Sequence, residues 1–136
     1  MALSPGDTVH IPDTGPPQDR GKGHLFIVLT KPCAKGMVHL VPMCRARGKY
    51  DATCKIAVGE HAFVQHETYI AYHYINQYSA EVLEKQIAQG ILHTNDPVSP
   101  ALLQRIRDGV ANSSHCPPVE KKYFQDQMKA AIPRSA

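Results

Sequence analysis

The residues HLFIVLT, at 24–30, are apolar at nearly every position, and that constrains the chain more than any other feature of it. A strand with one wet face alternates apolar and polar side chains. A strand apolar throughout needs cover on both faces, so it belongs in the middle of a sheet. Shorter runs surround it. DTVHIP (7–12) alternates as a strand does and stops at Pro12, while MVHLVPM (37–43), TCKIAV (53–58) and TYIAYHYI (68–75) supply three more. Turn-forming segments separate them, chief among them the Gly/Pro-rich DTGPPQDRGKG (13–23) and KPCAKG (31–36). Five short strands before any helix predict a small, strongly bent antiparallel barrel.

From about residue 79 the apolar spacing changes from two to between three and four. Ser79 is placed to cap AEVLEKQIAQ, with Glu81 and Glu84 near its positive end, Gly90 ending it, and Val82, Leu83 and Ile87 as its apolar stripe. Ser99 followed by Pro100 marks a second helix, ALLQRIRDGVANS, whose buried face reads Leu102, Leu103, Ile106 and Val110. A third, short helix is expected at 119–130. The expectation is therefore a single α+β domain over residues 1–136, with a barrel at about 4–76 and C-terminal helices at about 79–130. A chain of 136 residues is long enough to bury a core without staples.

Cysteine usage and hydropathy limit the functional classes. Cys33, Cys44, Cys54 and Cys116 are widely spaced with no C-x-x-C pair, which argues for free thiols and against a zinc ribbon. No apolar run approaches the roughly 18–20 residues of a membrane span. The start, MALSPGDTVH, lacks the basic and apolar segments of a signal peptide. The expected location is cytoplasmic, with no membrane partner, no metal and no cofactor.

Charge is uneven. Residues 20–50 hold Arg20, Lys22, Lys31, Lys35, Arg45, Arg47 and Lys49 and no acid, a segment charge of +7 that leaves −4 for the remainder of a chain whose net charge is +3. Such a local field draws phosphates, although a solvated basic loop would read the same way.

Histidine and tyrosine are also unevenly placed. HAFVQHETYIAYHY, 61–74, holds three of each. If 68–75 is one strand, Tyr69 and His73 share a face and Tyr72 and Tyr74 the other, which is ordinary sheet packing. His61, His66 and His73 lie five and seven residues apart, spacings that place no two ligands on one face of a strand or helix. His66 is singled out because it precedes the last strand, at the entry from a loop.

The order of these pieces resembles the PemK/MazF family of toxin ribonucleases. SPGDTVHIP, GPPQDRGKG, HLFIVLT and VHLVPMCR follow one another as that family's first strands and loop do, over roughly residues 4–46. The resemblance implies an SH3-like barrel with added helices. It further implies a metal-independent endoribonuclease, usually a homodimer, neutralised by a partner antitoxin protein. In the family a basic residue opens the second strand and a Thr or Ser follows the V-P-hydrophobic step. The matching positions here hold His24 and Cys44.

RNA cleavage without metal needs a base for the 2′-hydroxyl, an acid for the leaving oxygen and a cation for the phosphate. His24 and His66 are the candidate base and acid, and Arg45 the candidate phosphate clamp. Cys44 is either a nucleophile held as thiolate by a histidine or a small core thiol. Arg20, Lys22, Arg47, Lys49 and Tyr69 are the candidate substrate-binding residues. Asp51 either orients a histidine or caps a turn. The rival expectation is a non-catalytic module that uses the same basic surface to hold nucleic acid or a partner protein.

Overall fold

The computed structural model describes residues 2–12, 14 and 23–130. Arg20 and Lys22, both expected to bind substrate, lie outside the described residues. The elements run β1 (Thr8–Ile11), β2 (His24–Val28), β3 (Met37–Arg45), β4 (Lys55–Ile56), β5 (Thr68–Ile70), a 3-10 turn (Tyr72–Tyr74), β6 (Asn76–Ser79), α1 (Ala80–Ala88), β7 (His93–Asn95), α2 (Pro100–Asn112) and α3 (Pro118–Ala130). No helix among the described residues is long and apolar enough to cross a membrane.

The strands form one antiparallel sheet in the order β4-β5-β3-β2-β1-β7, with β6 pairing with β3. β2 is central and all five of its residues are buried, as its continuous apolar run requires. Its two faces feed two cores. Leu25 and Ile27 meet Met43, Ile70 and Tyr72 together with Leu102, Ile106 and Val110 of α2 and Phe124 of α3. Phe26 and Val28 meet Val9, Val38 and Leu40 together with Ala80 and Leu83 of α1. The helices are where the capping signals put them: Ser79 Oγ accepts from Val82 N at 3.3 Å and Ser99 Oγ from Leu102 N at 3.1 Å. Val82, expected in the buried stripe of α1, is 51% exposed.

The segment 68–75 is not one strand. β5 pairs with Met43–Arg45 and β6 with Met37–Leu40, on the same edge of β3, and the chain between them leaves the sheet as a 3-10 turn. Pro42 of β3 sits at the break. It accepts a bond from Ala71 N at 3.0 Å but has no N–H to return, so the ladder cannot run on. Tyr72 is thereby turned into the core, where its hydroxyl donates to Ile106 O at 2.7 Å. Gly109 of α2 lies against that ring: a Cβ there would stand 1.9 Å from the Tyr72 oxygen. The fourth strand is shorter than its expected 53–58, only Lys55–Ile56. β6 and β7 were not expected, and β7 returns the chain to the sheet beside β1 after the first helix.

Among the described residues no ladder joins β4 to β7. The segments that follow these two strands meet instead through side chains. His61 Nε2 donates to Asp96 O at 2.5 Å, and the same carbonyl accepts from Thr8 Oγ1 at 3.0 Å.

Candidate functional site

β2 begins where β3 ends, because the two run antiparallel with Leu25 opposite Met43. His24, the first residue of β2, and Cys44 and Arg45, the last of β3, are thus carried to one end of the sheet. The loop between β4 and β5 folds over that end. It is pinned by buried His61 and Val64, by Val64 N on His61 O at 3.0 Å, and by Ala57 N on Glu60 Oε2 at 2.7 Å. His66 lies on this loop just before β5.

Two adjoining hollows lie here, sharing Met43, Arg45, Phe63 and His66. The larger, of about 530 Å³, adds Cys44, Gln65, Thr68 and Asn95; the smaller, of about 260 Å³, adds His24 and Arg47. Together they make one groove that brings His24, Cys44, Arg45, Arg47 and His66 to a common surface. No acidic residue lines it among the described residues. Arg45, Arg47 and His66 are exposed, whereas His24 is only 7% exposed.

The His24 ring is held in a definite tautomer. Its Nδ1 lies 2.5 Å from the carbonyl of Thr14, an acceptor only, so Nδ1 carries the proton. In the neutral ring the lone pair then sits on Nε2, which is the arrangement of a general base. Cys44 is buried, at 2% exposure, and contributes to the wall of the larger hollow.

Several expected residues lie elsewhere. Tyr69 pairs with Cys44 across the ladder but lines neither hollow; its ring packs on Tyr50 with centroids 5.0 Å apart. Lys49 is exposed and also outside both. His61 spends both ring nitrogens on the fold, donating from Nε2 to Asp96 O and accepting at Nδ1 from Phe63 N at 3.1 Å. His73 packs edge-on against Tyr74 at 5.0 Å. Asp51 orients no histidine in the groove. It accepts from Thr53 N, Thr53 Oγ1 and Ser113 Oγ and so ties its turn to the end of α2. Burial alone would raise its pKa, but those bonds outweigh it and hold the carboxyl below its ordinary value. Among the groove residues that sequence reasoning missed are Phe63, Gln65 and Asn95. Phe63 was signalled only by being the one phenylalanine of the histidine-rich stretch.

No family model matches the sequence, and no curated protein does. A solved structure does match: a chain of the MazE–MazF complex of Deinococcus radiodurans, at 11% identity and a TM-score of 0.53, over 82% of this chain and 94% of that one. The chain has a MazF-like fold. The resemblance carried by the first strands and loop therefore holds for the architecture, an antiparallel sheet followed by C-terminal helices, and extends well beyond residues 4–46. In this MazF-like frame, the groove stands at the end of the sheet where β2 begins and β3 ends.

Proposed function

We propose that this MazF-like chain is the toxin of a toxin–antitoxin pair and cleaves single-stranded RNA without a metal ion. The observation that carries the reading is the meeting of His24, Arg45, Arg47 and His66 in one groove lined by no acid among the described residues. In the proposed reaction His24 Nε2 takes the proton of a 2′-hydroxyl. The 2′-oxygen attacks the adjacent phosphorus, the bond from phosphorus to the 5′-oxygen breaks, and a 2′,3′-cyclic phosphate forms. His66, protonated, returns a proton to the departing 5′-oxygen. Arg45 faces the charge that grows on the phosphoryl oxygens, and Arg47 holds a neighbouring phosphate. Cys44 occupies the place of the family's Thr or Ser as a wall residue. The bent sheet is read as a small SH3-like barrel, a reading supported by the His61–Asp96 bond between the segments that follow its two edge strands. A cytoplasmic homodimer and a MazE-like antitoxin belong to the same proposal; the matched structure is itself a MazE–MazF complex.

The test is incubation of a mixed-sequence RNA with the purified chain in EDTA. Wild type is expected to cleave it, with His24→Ala and His66→Ala each slower by about 10²–10⁴-fold. No cleavage by wild type at any salt concentration rejects the nuclease. A second reading, a module that only binds nucleic acid, is favoured by buried Cys44 standing where the family has a hydroxyl. It predicts steeply salt-dependent RNA binding that His24→Ala leaves unchanged and that leads to no products.

A further inference from the structure

Among the described residues, Phe63 is the one large aromatic side chain common to both hollows, and it is 41% exposed. Its position is imposed by the backbone. His61 and Val64, on either side, are buried at 6% and 5%, and Phe63 N donates to His61 Nδ1 at 3.1 Å. A short turn anchored at both ends thus holds the ring out of the core and over the groove. Its ring packs against the tilted ring of His10, with centroids 6.4 Å apart. Arg45, Arg47, His24 and His66 line the same two hollows, and Gln65 and Asn95 line the larger one.

A flat apolar surface set among cations and carboxamides, with no lining acid among the described residues, matches a ligand that is flat and apolar on one part and anionic on another. We infer that Phe63 is the stacking platform of a nucleobase subsite for single-stranded RNA, with Gln65 and Asn95 placed to meet the polar edge of the stacked base. The inference rests on the proposed RNA groove but adds to it a base-dependent part of the affinity that phosphate contacts do not supply. Base–aromatic stacking tolerates any base, because every base has a π-face, while carboxamides discriminate between base edges. The ring is already ordered, so little conformational freedom is lost on binding.

The chain contains no tryptophan, so Phe63→Trp introduces a single fluorophore at the subsite. The experiment titrates the full chain, as wild type, Phe63→Ala and Phe63→Trp, with two strands of equal length and equal phosphate number. One is a 2′-O-methyl RNA, which lacks the nucleophile and stays intact; the other is the corresponding abasic strand. Wild type is expected to bind the base-bearing strand about ten- to a hundred-fold tighter than the abasic one. Phe63→Ala is expected to lose that preference while keeping its abasic affinity and its melting temperature. Phe63→Trp should retain the preference and show quenching by the base-bearing strand alone. Equal affinities for wild type and Phe63→Ala, absence of quenching, or failure of the base-bearing strand to bind overturns the subsite. Of these, equal affinities leave Phe63 as a contact for a protein partner. The two proposals fail separately. Phe63-dependent binding by a protein that leaves ordinary RNA intact keeps the subsite and removes the nuclease. Undiminished cleavage by Phe63→Ala, with unchanged affinity, does the reverse.

Discussion

Two hollows of nearly equal size flank β4 and β5, about 530 Å³ on the side of Phe63 and about 510 Å³ on the side of Arg105, and they differ in charge accounting. The first has Arg45 and His66 and, among the described residues, no lining acid. The second is lined by Lys55, Arg105, Glu60 and Glu67, and its cations are matched one to one: Arg105 pairs with Glu60, and Lys55 lies 3.9 Å from Glu67. Arg105 also donates to Lys55 O at 2.7 Å, so its guanidinium serves the fold. The Glu60 carboxyl is held below its ordinary pKa first by its bond to Arg105 and then by Ala57 N, so it stays charged and keeps the pair closed. Volume does not mark the site here. A phosphate entering the first hollow meets cations and no carboxylate among the described lining residues, whereas one entering the second must displace a carboxylate.

The sharpest break of that comparison is a matched pair of substitutions. Arg45→Ala is expected to lower RNA cleavage by about 10²-fold or more, because the charge developing on phosphate loses its facing cation. Arg105→Ala removes an equal charge a short way off and is expected to leave the cleavage rate unchanged while lowering stability by at most about 1 kcal/mol. Single-turnover rates and melting curves on both variants check this. Equal losses of activity would erase the distinction between the hollows.

What could be read beforehand followed from local chemistry. The central place of β2, the Ser79 and Ser99 caps and the buried line Leu102–Ile106–Val110 all rest on residues that act within one element, and the structure shows each of them. The reading of 68–75 as one strand failed because its ladder is broken by Pro42, twenty-six residues earlier and on the neighbouring strand. β7 was illegible because HTN is exposed at every position and shows no apolar alternation; it is a strand only because β1 offers it a free edge. For the groove, His24 and Arg45 were accessible through the order of strands, since one opens β2 and the other closes β3. Asn95 was not, because it reaches the groove only by the pairing of β7. Tyr69 and Lys49 were singled out for composition, and the fold carries them past the groove wall.

A histidine toward the opposite end of β3 from Arg45 sharpens the contrast further. His39, in the part of β3 that pairs with β6, is fully buried under α3. Gln127 Nε2 donates to the carbonyls of Lys31 and Met37, which turns its Oε1 toward the ring, so His39 Nδ1 donates to Gln127 Oε1 at 2.8 Å. The other ring nitrogen lies 3.5 Å from Glu120 Oε2, and Phe124 packs edge-on at 6.0 Å. Burial lowers the His39 pKa from its ordinary 6.5, against the opposing pull of Gln127 and Glu120. An unfolded chain then binds a proton more readily than the folded one below about pH 6.5, so the contribution of this site is present above that pH and is lost as pH falls. The melting temperature is expected to decline as the pH is lowered from 7.5 toward 5.5. His39→Asn, which keeps a donor for Gln127 and cannot titrate, should show a shallower decline even if less stable throughout. Parallel slopes for the two proteins would show that the sealed histidine does not govern acid stability.

The smallest expected effect tests whether the second hollow is silent only because its cations are paired. In an Arg45→Ala background, Glu60→Gln together with Glu67→Gln removes two negative charges from that hollow and leaves Lys55 and Arg105 without carboxylate partners there. Neither Glu60 nor Glu67 lines the groove. Affinity for a single-stranded RNA at low salt is expected to rise about two- to five-fold, and to fall back as salt is raised, since exposed charges are screened beyond roughly 10 Å at 0.1 M. Cleavage should stay at the low rate of Arg45→Ala alone, because no histidine lines the second hollow among the described residues. Filter binding across a salt series, with gel analysis of the same samples, separates the outcomes. Restored cleavage would mean that chemistry follows bare positive charge. An unchanged affinity would mean that Phe63 and the shape of the first hollow, more than its charge, distinguish the two.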